Sequence, residues 1–470
     1  MDSDVMDNGK GRQDVGAARD REQQAADASV VSRQRGALAT GRRSPRFQAR
    51  MTELLQQRRS GAGAEVEQFD VVRDGPPGGT PIVRGALLVR ATLEEQSAEL
   101  FARLVEQVGD PTAHLDGRLL VLAGRGTSPD RLVELAREVR QQGFEASVDH
   151  ILPLDVVCKG SGGPAMTSLG LVPARRSPQR EAVRVAVIDT GVATKGRGHT
   201  WQDDLREADN LDPLDAFPAP GGDGLLDVAA GHGAFATGIV QQVAPGGPVR
   251  VYQAIDSDGI GSEVRVAEQL LTAVRQDGAE VVNLSLGTQT VDDQPLLALQ
   301  VAFELLSEGG HDEVLLVAAA GNYGNSRPCF PAAFRRVVAV AGLTAELTPA
   351  AWSSRGHWVD VSTVAEGLVS TYVRGTESPG LSPGRGADDW PLSDEQPWAV
   401  WTGTSFAAPQ VAAEVARRLS ELRAAGDREA TARTVLRDLL AEGRRMPDYG
   451  IALRLLAGTT AVTTLPVRRL

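Results

Sequence analysis

The sequence predicts an α/β protein with a larger domain built on a parallel sheet flanked by helices, preceded by a small α/β domain. The first observation behind this prediction is a series of short, nearly continuous apolar runs after residue 183, namely VRVAVID, VRVYQAI, EVVNLSLG, EVLLVAAAG and RVVAVAG. Such runs are typical of strands buried on both faces. The second observation is that helical segments separate several of them, which favours parallel strands joined by right-handed crossovers.

The composition excludes some classes of partner. The chain has 470 residues and a formal net charge of -12, whereas nucleic-acid binding requires a basic face. The longest apolar stretches are too short to span a bilayer, and the first residues lack the apolar core of a secretory signal. We therefore predict no nucleic-acid partner, no membrane partner and a cytoplasmic location. Cys158 and Cys329 are interpreted as thiols, although a disulfide stays open.

Four regions follow from the pattern along the chain. Residues 1–78 are rich in Arg, Gln, Asp, Gly and Ala without a sustained period, so we predict a largely disordered region that leaves room for a regulatory protein partner. Residues 79–155 form the small α/β domain. Residues 156–182, with Gly, Pro, Ser and a basic cluster, read as a linker, and residues 183–462 form the larger domain.

The small domain is predicted from five segments in the order strand, helix, strand, helix, strand. The first strand is IVRGALLVRA, and Thr92 with Glu95 has the spacing of a capping box at the start of the first helix, which Gly109 ends. The second strand is RLLVLAG, a second helix starts at Ser128-Pro129, and EASVDHILPL is the last strand. The domain is either a cleaved propeptide or a permanent regulatory unit.

Polar side chains follow the strands of the larger domain, where working residues collect in parallel sheets. Asp189 ends the first strand, His232 stands just ahead of a helix, Asn322 follows a strand, and Ser405 starts a helix. Taken singly, each has a bland interpretation as a turn, core or capping residue. The Asp-Thr-Gly at 189–191 could belong to an aspartic protease, but that chemistry needs a second copy, and this chain has one.

Taken together, these residues resemble the subtilisin family of serine proteases. The matching segments are VAVIDTGV, GHGAFATGIV, VAPGGPVRVYQAIDSDGIGSE, NLSLG, AAAGNYGN and GTSFAAPQVAAEVA. The resemblance implies that Ser405 is the nucleophile, His232 its base, Asp189 the residue that orients the base, and Asn322 a donor to the oxyanion. This chemistry needs no metal and no organic cofactor. The expected function is that of a serine endopeptidase acting on peptide or protein substrates.

The resemblance also implies two substrate-binding segments. They pair with an extended peptide and comprise Ser285, Leu286 and Gly287 in one and Ala319, Ala320 and Gly321 in the other. An alternative function is that of a catalytically silent binding or scaffold protein on the same fold. In the resembling segment GTSFAAP, Pro409 denies the Ser405 carbonyl its usual helical donor, so we predict a first turn that deviates around the nucleophile.

Overall fold

The computed structural model describes residues 24–39, 56–58, 68–73, 79–153, 163–167, 182–193, 205, 210–217, 221–377, 389–390 and 398–456. Its α-helices of five or more residues in these ranges are α1 (24–39), α2 (Thr92–Gln96), α3 (Ala98–Val108), α4 (Pro129–Gln141), α5 (His232–Val243), α6 (Glu263–Leu271), α7 (Leu297–Glu308), α8 (Ala408–Ala424) and α9 (Ala432–Ala441). None of the helices in the described ranges is both long enough and apolar enough to cross a membrane.

The strands alternate with these helices along the chain. They are β1 (Phe69–Val72), β2 (Thr80–Arg90), β3 (Gly109–His114), β4 (Leu119–Gly124), β5 (Ala146–His150), β6 (Ala165–Thr167), β7 (Val185–Asp189), β8 (Val192–Ala193), β9 (Leu211–Asp212), β10 (Val249–Gln253), β11 (Val281–Leu284), β12 (Leu315–Ala319), β13 (Val337–Leu343), β14 (Val361–Val364), β15 (Leu368–Thr371), β16 (Gly375–Thr376), β17 (Asp389–Trp390), β18 (Trp398–Trp401), β19 (Arg444–Met446) and β20 (Gly450–Ala452).

The larger domain is built on an eight-stranded sheet with the order β10-β7-β11-β12-β13-β14-β20-β19. Every neighbouring pair is parallel except β19 and β20 at the edge. The five apolar runs correspond to β7 and β10–β13, which confirms the predicted α/β class. The carboxyl ends of these strands therefore meet at one edge of the sheet.

Both faces of this sheet are covered by helices, as the continuous apolar runs predict. Along β7, Ala186 and Ile188 join the core under α6 and α7. Val185 and Val187 point to the opposite face and join the core under α5 and α8. The alternation follows from the two-residue period of a strand, and it places β7, with Asp189 at its end, between the two layers of helices.

The small domain is an antiparallel sheet with the order β5-β2-β4-β3, and β1 pairs with β2 as well. Helices α3 and α4 contribute to its apolar core, giving a split β-α-β topology. The prediction missed β3, because the segment GDPTAH is polar and mostly exposed and so shows no apolar alternation. The predicted capping box was also wrong: Ala91 precedes α2 without a side-chain cap, and the helix breaks at Ser97.

The prediction of a largely disordered region 1–78 was wrong for the parts that the structure describes. Residues 24–39 form α1, and β1 extends the small sheet. Arg58 is buried, with its guanidinium against the carboxylates of Asp256 and Asp258 at 2.6–2.8 Å. Helix α1 cannot be predicted from apolar periodicity, because its buried stripe contains both polar and apolar side chains. Residues 1–23, 40–55, 59–67 and 74–78 lie outside the described residues.

The predicted linker was wrong in one place as well. Residues 165–167 form β6, which pairs with β18 in a three-stranded sheet of the order β15-β18-β6. A three-residue strand is held by its neighbour rather than by its own propensity, so the Gly- and Pro-rich context concealed it. Residues 154–162 and 168–181, including Cys158, lie outside the described residues.

The small domain rests on α6 and α7 of the larger domain. At the rim, Arg90 pairs with Glu304 at 2.6 Å, and Arg118 pairs with Glu308 at 2.5 Å. These arginines come from β2 and from the turn before β4, whereas both glutamates lie on α7. Opposite charges therefore face each other across the rim, although partly exposed pairs of this kind contribute little stability one by one.

A buried histidine marks the centre of the same interface. His150 Nδ1 lies 3.1 Å from Glu263 Oε1, and the Val291 N–H donates to His150 Nε2 at 3.1 Å. Because Nε2 accepts, the ring is neutral with its proton on Nδ1. Just beyond β5, the Leu152 N–H donates to the Gly261 carbonyl at 2.8 Å, so the exit of the small domain runs along the loop that follows β10.

Candidate active site

The end of β7 and the start of α5 bring Asp189 and His232 together. His232 Nδ1 lies 2.8 Å from Asp189 Oδ1 and 2.9 Å from Oδ2, and both side chains are buried. The Thr190 N–H donates to Asp189 Oδ1 at 2.8 Å. A carboxylate in this position holds the proton on Nδ1 and leaves Nε2 as the acceptor. The arrangement equips His232 to act as a general base.

Close backbone packing explains the glycines on both sides of His232. A Cβ on Gly233 would lie 2.4 Å from the Gly191 carbonyl oxygen, so the first turn of α5 rests directly on the turn after β7. Gly231 has φ 77°, and a Cβ there would lie 2.7 Å from Val373 Cγ2. A larger residue at Gly233 would push α5 away from β7 and separate His232 from Asp189, whereas one at Gly231, at the start of α5, would clash with Val373.

Asp212 is a buried residue of the site that the sequence did not indicate. Its Oδ2 accepts hydrogen bonds at 2.8 Å from Thr190 Oγ1 and from the Gly231 N–H. Thr190 Oγ1 in turn accepts from the Gly233 N–H at 3.1 Å. One carboxylate thus clamps the residue after Asp189 to the residue before His232. Asp212 stands in an acidic stretch of sequence, where nothing distinguishes it from solvated carboxylates.

Ser405 lies in a 3-10 turn, Thr404–Phe406, and α8 begins only at Ala408. The expectation that a helix starts at Ser405 was therefore wrong by one turn. The predicted deviation at Pro409 is confirmed: the Ser405 carbonyl, which lacks the helical donor that proline removes, accepts from Ser285 Oγ at 2.6 Å. Side-chain bonding across the sheet edge thus replaces a helical bond beside the serine.

Asn322 is oriented by the residue that precedes Ser405. Its Oδ1 accepts from the Thr404 N–H at 3.0 Å and from Thr404 Oγ1 at 2.9 Å. Thr404 Oγ1 also accepts from the Gly321 N–H at 3.1 Å. Because these bonds fix the oxygen end of the amide, Nδ2 points the other way; it would lie 3.7 Å from a Cβ on Gly403.

Aromatic rings join the histidine to the serine segment. The His232 ring lies 5.4 Å from the Trp401 ring and 5.2 Å from the Phe406 ring, measured between centroids. Phe235, on the next turn of α5, contacts the same two rings. The residues around Ser405 and the start of α5 therefore pack as one cluster. The structure thus brings together the sequence-predicted residues Asp189, His232, Asn322 and Ser405.

The two predicted substrate-binding segments lie beside this cluster. Ser285 Oγ donates its hydrogen bond to the Ser405 carbonyl, and the Gly321 carbonyl accepts from the Ser354 N–H at 2.8 Å. A Cβ on Gly287 would lie 3.0 Å from the Sγ of Cys329, and one on Gly321 would lie 2.9 Å from it. The buried Cys329 thiol thus separates the two segments, a role that no sequence pattern indicated.

The other predicted members of these segments are buried or nearly so: Leu286, Ala319 and Ala320. The Ala320 N–H donates to the Val340 carbonyl at 2.9 Å. Contact of all six residues with a substrate stays a prediction. Among the described residues, no group of three or more His, Cys, Asp or Glu side chains is placed to hold a metal ion.

Asp227 is a titratable group near the site that the sequence did not indicate. Burial raises its pKa to about 7, and the charges of Asp258 and Asp215 act in the same direction. The Ser257 hydroxyl donates to Asp227 at 2.5 Å, and the Ala216 N–H donates at 2.8 Å. This carboxyl therefore changes charge near neutral pH, five positions before His232 in the sequence.

Comparison with known proteins places this site in a wider group. A model described as the subtilase family matches residues 180–444. The chain is 30% identical over 247 residues to the thermophilic serine proteinase of Bacillus sp. strain AK1, covering 51% of this chain and 52% of that protein. It is 31% identical over 211 residues to thermitase of Thermoactinomyces vulgaris, covering 42% and 65%.

One solved structure gives a more distant match. The crystal structure of a lanthipeptide protease is 23% identical, covers 59% of this chain and 84% of its own, and superposes with a TM-score of 0.44. The chain spans between about one third and two thirds of the length of the first curated relatives it matches, with 52%, 31% and 65% covered.

Proposed function

The chain belongs to the subtilase family, and we propose that it is a serine endopeptidase with Asp189, His232 and Ser405 as its catalytic triad. The observation that carries this proposal is the contact of His232 Nδ1 with both carboxylate oxygens of Asp189, at 2.8 and 2.9 Å. That contact leaves Nε2 as a base for the Ser405 hydroxyl, which is a poor nucleophile without one.

The reaction follows from these roles. Ser405 Oγ attacks the scissile carbonyl carbon while its proton moves to His232 Nε2. Collapse of the tetrahedral intermediate breaks the C–N bond, and the leaving amine takes the proton from Nε2. Water then attacks the acyl-enzyme, again losing a proton to Nε2, and Ser405 recovers its proton when the acid product leaves. Asp189 stabilises the imidazolium at each stage without itself taking the proton.

We assign Asn322 the role of an oxyanion donor in this scheme. Its oxygen is held by Thr404, so the Nδ2 amide is directed to the side of Gly403. A donor fixed before the reaction stabilises negative charge without reorganising, which is why such groups contribute strongly to the rate. The Ser405 N–H is the second donor in this proposal.

The small domain supports a regulated enzyme. It is docked on α6 and α7 through opposite charges and a buried histidine, and its exit strand runs along the loop after β10. We propose that this domain partly restrains access to the site, so that the intact chain reacts more slowly than it does once the domain is displaced by a cut in the linker or by a protein partner of the N-terminal region. A cytoplasmic location stays a prediction.

Labelling with a fluorophosphonate probe tests the proposed activity. The intact chain, and the chain nicked in the linker with its fragments kept together, should gain one probe mass, which peptide mapping assigns to Ser405. Ser405→Ala should gain none, whereas the matched control Ser326→Ala removes an exposed serine and should react like the wild type. An inert wild type in both forms would favour the scaffold alternative and refute the proposal.

A further inference from the structure

Helix α1 packs against the larger domain, on residues that are more than 300 positions away in the sequence. Its buried residues fall on one stripe, at Asp27, Val31, Gln34 and Leu38. Val31 packs against a cluster of Val369, Trp398 and Val400 in β15 and β18, whereas Leu38 joins the core under α5 and α8. The helix therefore contributes to the packing of the strand that leads to Ser405.

Gln34 makes the most specific contacts of this helix. Its side chain is buried, and Nε2 donates to the carbonyls of Gly163 at 2.7 Å and Val400 at 3.0 Å. Its Oε1 accepts from Thr402 Oγ1 at 2.7 Å. Thr402 Oγ1 also accepts from the Gly367 N–H at 3.0 Å. One amide thus joins the linker, the end of β18 and the turn before β15.

The neighbouring residue of α1 holds the second side of the same hairpin. Arg35 Nε and Nη2 lie 3.1 and 2.5 Å from the two oxygens of Glu366, whose side chain is fully buried. Glu366 also accepts from Trp352 Nε1 at 2.8 Å. Because a buried carboxylate needs a cationic partner, α1 supplies the charge that this turn requires.

The contacts of Gln34 lead directly into the candidate site. Thr402 stands three positions before Ser405, and the ring of Trp401 lies against His232. Resting on the proposed function, we propose that α1 is an internal activator: Gln34 is a positioning residue that holds the end of β18 so that Ser405 and His232 meet in reactive geometry. The N-terminal region then combines two opposite effects, support from α1 and restraint from the small domain.

Activation must leave α1 in place if the helix positions Ser405. A cut in the linker would break the covalent connection of α1 and the small domain to the larger domain. The noncovalent contacts of α1 would nevertheless have to persist in the active form. Complete removal of the N-terminal region should therefore lower activity, whereas displacement of the small domain alone should raise it.

Two substitutions in the full chain test the role of Gln34. Gln34→Ala should slow fluorophosphonate labelling of Ser405 about tenfold or more and lower kcat for a peptide with little change in KM. Gln34→Glu places a carboxylate against two carbonyl oxygens and loses both donated bonds. Its rate relative to the wild type should recover in part as the pH falls from about 8 to about 5, because the protonated carboxyl can donate one of the two hydrogen bonds again. Gln24→Ala, at the exposed start of α1, is the matched control and should behave like the wild type.

Several outcomes overturn the proposal. Wild-type labelling rates in both Gln34 variants would show that β18 is positioned without this amide. A variant that melts below the assay temperature, or a Gln34→Glu rate ratio that does not change with pH, would show that Gln34 holds the fold rather than the nucleophile. Because the wild type is labelled in parallel, an inert wild type refutes the proposed function instead.

Discussion

Hydrogen bonds within the protein fix the side chain of Asn322, which we propose as an oxyanion donor. Thr404 holds its oxygen, so the amide nitrogen faces the serine turn. We expect Asn322→Ala to lower kcat by about 10²–10³, or ~2.7–4 kcal/mol, the loss known for such a donor in a subtilisin, with KM little changed. Steady-state kinetics on a peptide measure this. Asn325→Ala, which removes an amide of the same loop, is the control, and a loss confined to KM would contradict the assigned role.

The raised pKa of Asp227 makes stability depend on pH. Its folded-state pKa is about 7 against an ordinary value of 3.8, so the folded protein binds more protons than the unfolded chain between these values. The contribution of this carboxyl to the free energy of unfolding is therefore largest below about pH 4 and is lost as the pH rises towards 7. Asp227→Asn should remove that loss, so that the stability of the wild type relative to the variant falls across this window.

Urea unfolding at several pH values measures this difference. Asp223→Asn, at an exposed position in the same loop, is the matched control and should keep the pH dependence of the wild type. A wild-type protein that gains stability relative to Asp227→Asn as the pH rises would contradict the raised pKa. The sequence shows only one Asp among many in this stretch, because the shift comes from burial and from neighbouring charges that folding brings close.

At the scale of elements, the 3-10 turn at Ser405 and the strand end at Ser285 are linked through one hydrogen bond. Ser285→Ala leaves the Ser405 carbonyl unsatisfied and should cost about 1–3 kcal/mol of stability and also lower kcat. Pro409→Ala restores a backbone N–H four positions after Ser405. We expect the double variant to recover part of the loss, which a double-mutant cycle of unfolding free energies measures. Strictly additive effects of the two substitutions would contradict the exchange of one donor for another.

The elements that sequence predicted well are those whose packing leaves a periodic pattern. Strands β7 and β10–β13 are buried on both faces and read as apolar runs, and the residues at their ends could be placed from the same pattern. Ser128 was also predicted as the start of a helix, and its side chain accepts from the Arg131 N–H at 3.4 Å. In contrast, α1 docks partly through Gln34 and Arg35. Polar and charged residues such as these are expected on the solvent-exposed surface unless their partners in the fold are known.

The residues of the candidate site likewise fall into those that a local sequence pattern marks and those that it does not. Sequence motifs that follow strands or precede helices contain Asp189, His232, Asn322 and Ser405. Because the carboxyl ends of parallel strands lie at one edge of the sheet, the approximate location of these residues could be predicted. Asp212 and the Cys329 thiol act through contacts between segments that are distant in sequence, and no local spacing marks them. Polar networks of this kind become visible only when the backbone places each donor beside its acceptor.

At the scale of the whole molecule, the proposed activity depends on the opposite charges that hold the small domain on the larger one. Arg90 and Arg118 face Glu304 and Glu308, so Arg90→Glu combined with Arg118→Glu replaces attraction by repulsion. We expect the displaced domain to raise kcat/KM for a short peptide about threefold to tenfold, with a smaller effect at high ionic strength, because salt screens exposed charges. Arg103→Glu, on the exposed side of α3, is the matched control. An unchanged or lower kcat/KM in the double variant would show that docking supports the site rather than restraining it.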